Sequence, residues 1–180
     1  SAQPGDSTGF SIGVRNTGNS AAQYTMSCTS ASQWQIMLGN SNSSSLEFEP
    51  LNILQDLSMD VNVFVPSVAN GVPASGFVDQ VTCVVTSPTD ASLNHVEVVN
   101  IAVAELRSFQ SDLYGPNGAI GPGALAAPVY ANTGDVVYFN HTISNNGNTD
   151  MDFTVSLERG NPAWAAQMSY DGQTSSTNLA

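Results

Sequence analysis

The chain has 180 residues, 41% of them hydrophobic and only 10% charged, with 15 Asp and Glu against three arginines (Arg15, Arg107 and Arg159), no lysine and a net charge of −12. Three scattered cations cannot displace counterions from nucleic acid, an anionic membrane surface repels such a chain, and the lack of lysine excludes a P-loop and Schiff-base catalysis. No apolar run approaches the roughly 20 residues of a membrane helix, so no direct membrane insertion is expected, and a chain opening on Ser1 reads as a mature or excised segment.

Taken in order, the elements read as strands. Phe10, Ile12 and Val14 alternate with polar residues up to the turn Asn16-Thr17-Gly18-Asn19. Tyr24, Met26 and Cys28 form a second run, Trp34, Ile36 and Leu38 a third, and Leu46 with Phe48 a short fourth. Leu57, Met59, Val61, Val63 and Val65 make the longest alternation, stopped by Pro66. After the loop Asn70-Gly71-Val72-Pro73 come Val81, Cys83 and Val85, stopped by Pro88, and then Val99, Ile101 and Val103. Seven such runs match the strand count of an Ig-like sandwich. Residues 111–128, with Gly115-Pro116 and Gly121-Pro122-Gly123, read as a Gly/Pro-rich linker.

Beyond it the start of the chain recurs. Gly134-Asp135, Phe139, Asn145-Asn146-Gly147-Asn148-Thr149 and Phe153-Thr154-Val155-Ser156 follow Gly5-Asp6, Phe10, Asn16-Thr17-Gly18-Asn19-Ser20 and Tyr24-Thr25-Met26-Ser27 at a constant offset of 129 positions. Trp164 follows Trp34 at an offset of 130. The shared unit reads as a hairpin, with an Asn-Gly turn between two strands, followed by a Trp that plugs the core. The prediction is therefore an all-β chain of tandem Ig-like β-sandwiches, one complete and one partial. Their bounds are a sandwich over 1–110, the linker 111–128, and a partial second repeat over 129–180. The apolar face of the partial copy needs a cover, either the remainder of a truncated domain or strands of another chain.

The Asn16 to Asn19 turn, Trp34 in the third run, and the long strand Leu57 to Pro66 followed by Gly71 resemble the Ig-like modules associated with NPCBM domains and the related cell-adhesion domains of bacterial and archaeal surface proteins. The likeness covers most of residues 5–106 and the front of the copy from 134. It departs in the cysteine pair and at Leu51 to Gln55, where a Pro-Gly would stand before the long strand. The resemblance implies a spacer, stalk or adhesion part and transfers no catalytic residue.

Cys28 is in phase with Tyr24 and Met26, and Cys83 with Val81 and Val85. Both point inward, so a disulfide joining the two sheets is expected, the alternative being two buried thiols. The bridge implies an oxidising compartment and a secreted or cell-surface location. His95 and His141 show no ligand spacing with either cysteine. Gly5-Asp6-Ser7-Thr8-Gly9 matches the G-x-S-x-G pattern, but a strand follows it instead of a helix, and Val136 stands at the position of Ser7 in the second copy. No enzyme is expected.

Asn146, Asn148, Asp150 and Asp152 place oxygens at every second position, as a calcium loop does. Ala21 and Gln23 replace the acids in the first copy, so Asn148, Asp150 and Asp152 stand as calcium candidates against a plain turn, and no other cofactor is predicted. Asp112 and Asn117 in the linker are of the same kind. Glu47 and Glu49 flank Phe48 on one outward face, which suits a charge-guarded edge strand better than glycoside hydrolysis. Trp34 and Trp164 share one repeat position and read as core. Asn42-Ser43-Ser44 and Asn140-His141-Thr142 fit the N-glycosylation sequon. Together these features predict a non-catalytic structural or adhesive extracellular protein, a stalk, filament or lattice component. Its partners would be neighbouring copies of itself or further domains of its own chain. The alternative is an accessory carbohydrate- or calcium-binding module of a larger secreted enzyme.

Overall fold

A computed structural model describes residues 1–69, 73–90, 92–115, 118–120, 130–157, 165–170 and 173–176. Among these the regular elements are strands, with no helix. The chain divides into two compact units, Ser1–Asp150 and Met151–Ala180.

Each of the seven alternating runs forms a strand: β1 (Ser7–Arg15), β2 (Thr25–Ser30), β3 (Gln35–Leu38), β4 (Ser45–Glu47), β5 (Asp56–Phe64), β6 (Val78–Thr86) and β7 (Asn94–Ala102). They form two antiparallel sheets in the orders β1-β5-β3 and β4-β2-β6-β7. The period of two decides the layering. Ile12, Val14, Ile36, Leu38, Val61 and Val63 from the first sheet meet Met26, Cys28, Val81, Cys83, Val85 and Ile101 from the second in one buried core. Each Val or Leu so buried contributes about 1.5–3 kcal/mol.

The expected hairpin at Asn16 to Asn19 is not one. β1 and β2 lie in different sheets, so the turn arches over the end of the core. Val14 and Met26 both point inward, from opposite sides. Each strand takes its backbone partners elsewhere, β1 from β5 and β2 from β4 and β6.

The passage from β2 to β3 is ordered by a buried carboxylate. Asp79 on β6 is 1% exposed. It accepts from the Ser30 hydroxyl at 2.7 Å and from the Ser32 N–H at 2.9 Å. The same Ser30 hydroxyl accepts from the Trp34 N–H at 2.9 Å. This chain of bonds delivers Trp34 into the core, where its ring lies 5.9 Å from that of Phe77.

After Val103 the first unit continues with β8 (Phe109–Gly115), β9 (Gly118–Ile120) and β10 (Asn140–Asn145), a third antiparallel sheet in the order β10-β8-β9. Strand therefore enters the segment predicted as linker, over 111–115 and 118–120, while 121–128 lies outside the described residues. Phe109, Ser111 and Leu113 alternate with polar neighbours ahead of the first proline, and the Gly and Pro content conceals that short run. In the second unit β11 (Gln167–Tyr170) and β12 (Gln173–Ser176) pair antiparallel. Residues 153–156, matched in sequence to the start of β2, are not strand. β2 is held on both edges by β4 and β6. Gly71, Arg159 and Trp164 lie outside the described residues.

Candidate functional site: a repeated turn and its junction

The disulfide Cys28–Cys83 is formed, and each cysteine is 2% exposed. The two residues face each other across the neighbouring strands β2 and β6. The bridge thus lies within one sheet, which corrects the expected link between sheets. The inward phase of both cysteines was legible, but phase cannot tell a facing sheet from an adjacent strand. The Cys28 N–H turns away from β6 to Ser44 O at 2.8 Å. The cysteines therefore occupy a non-hydrogen-bonded position, where side chains approach most closely. The bridge spans a sequence separation of 55. It contributes about 4 kcal/mol if it acts by restricting the unfolded chain. Such a buried bridge fits an oxidising compartment.

The Asn-Gly turn is built the same way twice. In the first copy the Asn16 carboxamide oxygen accepts from the Gly18 N–H at 2.9 Å, and its NH2 donates to Ser20 O at 2.8 Å. In the second copy Asn145 accepts from the Gly147 N–H at 2.9 Å and donates to Thr149 O at 2.8 Å. The strand entrance repeats as well. Asp6 N–H donates to Gln3 O and Asp135 N–H to Asn132 O, each at 3.1 Å. Gly5 and Gly134 before them have φ of 88° and 95°, a left-handed conformation that glycine adopts without a Cβ clash.

The surroundings of the two turns differ. Asn16 is 1% exposed, donates also to Leu51 O at 2.8 Å and accepts from the Tyr24 hydroxyl at 3.2 Å, which pins the first turn to its own sandwich. Asn145 is exposed, and its turn instead grips the chain leaving β7. Asn146 N–H donates to Ser108 O at 2.9 Å, and Asn148 N–H to Leu106 O at 3.1 Å. The Asn148 side chain accepts from Leu106 N–H at 2.7 Å and donates to Ala104 O at 3.0 Å. Asn148 O accepts from Ser75 N–H at 3.0 Å. Backbone comes so close to Gly147 that a Cβ there would collide with the Leu106 carbonyl oxygen and lie 3.0 Å from Ser108 N. Only glycine fits at this position.

Asn148, singled out for its oxygen, is thus 5% exposed with both side-chain polar atoms bonded to backbone. Asp150 and Asp152 are exposed. Asp112 accepts from the Gln110 amide at 2.9 Å, and Asn117 lies outside the described residues. Among the described residues no group of three His, Cys, Asp or Glu side chains converges. Ser7 is the exposed first residue of β1, with strand after it. Glu47 and Glu49 are exposed at edge strand β4, around buried Phe48. Asn42 is exposed after β3, and Asn140 is exposed at the start of β10. Arg15 lies 3.6 Å from Asp56, and Arg107 lies 2.6 Å from Glu105.

One pairing had no signal in the sequence. The Ser111 hydroxyl and His141 Nε2 are 2.6 Å apart, across the neighbouring strands β8 and β10. Nucleophilic chemistry needs a third group to orient the imidazole. The nearest acid in sequence, Asp112, is bonded to Gln110. No helix among the described residues is long and apolar enough to cross a membrane. Comparison with known protein families, with curated proteins and with solved structures finds no match to this chain.

Proposed function

We propose that the chain is a non-catalytic structural or adhesive component of an extracellular surface assembly, a stalk, filament or lattice element of Ig-like modules in series. The observation that carries this reading is the second-copy turn, which repeats the two internal bonds of the first and holds the segment leaving β7 by four hydrogen bonds. A junction closed by backbone bonds limits hinging between successive modules, as a load-bearing array requires. The buried disulfide supports an oxidising, secreted or cell-surface setting. The composition, rich in hydroxyls and amides with only 10% charged residues, is of the kind common in exported β proteins. The sequence likeness to the NPCBM-associated and cell-adhesion-related modules points the same way. Neighbouring copies or further domains of the same chain are the partners on this reading.

Trp34 is packed in the core and offers no platform for a sugar ring. A glycan panel and a calcium titration on the full chain test the proposal. No saturable response to either is expected. Specific glycan binding, or a calcium-dependent change at Asp150 and Asp152, would replace it with the accessory-module alternative.

A further inference from the structure

We infer that the outer edge of β1 is an acceptor for an extended strand of the β8 type, supplied by another copy of the repeat. The inference rests on the tandem reading proposed above and names the contact through which copies would join.

The direction of the backbone groups carries it. Val65 N–H donates to Asp6 O at 2.9 Å, and Asn16 N–H to Gln55 O at 3.1 Å, in the register that runs through β1 and β5. Even-numbered residues of β1 therefore turn their N–H and C=O toward β5. The odd-numbered Ser7, Gly9, Ser11, Gly13 and Arg15 turn theirs outward. No described strand pairs with that side.

In the second copy Asn146 and Asn148 donate to Ser108 and Leu106, continuing the register in which Asn145 faces Phe109. Even-numbered residues of β10 therefore face β8. The repeat offset of 129 is odd, so these residues correspond to the odd-numbered residues of β1. β8 lies along the edge of β10 that matches the open edge of β1, opposite to the edge that β5 would take. The chain thus displays, on its own second copy, what covers this edge.

Carried onto β1, the β10–β8 register sets Ser11 opposite a residue of Tyr114 type, Ile12 opposite Leu113, Gly13 opposite Asp112 and Arg15 opposite Gln110. The leucine would extend the core beside Ile12 and half-buried Phe10. Arg15 would stand diagonal to the aspartate, within reach of a charge pair. The open edge carries no lysine or proline, the usual guards of an exposed strand. Strand addition of this kind takes its affinity from main-chain bonds and its register from alternate side chains.

A synthetic peptide of residues 107–115, titrated into the isotope-labelled full chain, tests the inference. Saturable shifts of the Ser11, Gly13 and Arg15 amides are expected. N-methylation of the peptide at Asp112, whose N–H would face β1, should abolish them, while N-methylation at Ser111, facing away, should not. Gly13→Pro should also block binding without removing a bond to β5, since the lost N–H points outward. No binding, or binding indifferent to the methylated position, overturns the inference while leaving the proposed function to the glycan and calcium tests. Concentration-dependent shifts of the same amides without peptide would assign the edge to β1–β1 pairing and overturn the β8 assignment.

Discussion

Asn16→Ala and Asn145→Ala remove the same two turn bonds from two copies of one motif, in different surroundings. At Asn145 only the bonds to Gly147 and Thr149 are lost, at an exposed site. A cost of about 0.5–1 kcal/mol is expected, since such bonds exchange readily for water. At Asn16 four bonds vanish, to Gly18, Ser20, Leu51 and Tyr24, from a side chain that is 1% exposed. Leu51 O keeps the Ala22 N–H at 3.0 Å, so its carbonyl is not orphaned. At about 1 kcal/mol for each net bond to a buried partner, the expected cost is about 2–3 kcal/mol. Urea unfolding followed by tryptophan fluorescence measures it, because Trp34 reports the sandwich core. Equal costs for the two variants, or a sandwich indifferent to Asn16→Ala, would refute the claim that burial separates the two copies.

Cys28→Ala with Cys83→Ala should lower unfolding stability by about 4 kcal/mol relative to the oxidised chain, and an unmoved urea midpoint would contradict the role given to the bridge. Gly147→Ala should free the Leu106 amide to exchange, because its Cβ collides with fixed backbone, whereas the atom nearest a Cβ in Gly18→Ala is the Asn16 side-chain oxygen at 3.1 Å, so that change should be milder. The Ser92 hydroxyl, and then its N–H, hold the exposed Asp90 carboxyl below its ordinary value of 3.8. A carboxyl lowered on folding stabilises above that ordinary value, and its contribution fades as pH falls through the lowered one. Ser92→Ala should therefore raise the Asp90 midpoint in an NMR titration.

The strands were legible because a two-sided sandwich imposes a period of two, and Ile12, Val14, Val61, Val63, Val81 and Val85 obey it. Alternation fixes which way a side chain points but not which strand lies beside it. Phase therefore turns both cysteines inward without telling which strand lies opposite, and an Asn-Gly turn between two alternating runs has the pattern of a hairpin where the chain builds an arch. The constant offset showed that the turn recurs. It could not show the grip of Asn148 on Ala104 and Leu106, whose partners lie 44 and 42 residues away and whose first-copy counterpart Asn19 is exposed. β8 was hidden by the Gly and Pro that follow it.

Amide hydrogen exchange on the full chain tests modules in series most directly, because the junction is made of backbone donors. Leu106, Asn146 and Asn148 are expected to be protected in the parent protein, and Asn148→Ala should release Leu106 while β1 to β7 stay protected. Exchange of these three amides at the rate of an open chain, in a protein whose sandwich is otherwise intact, would contradict the account.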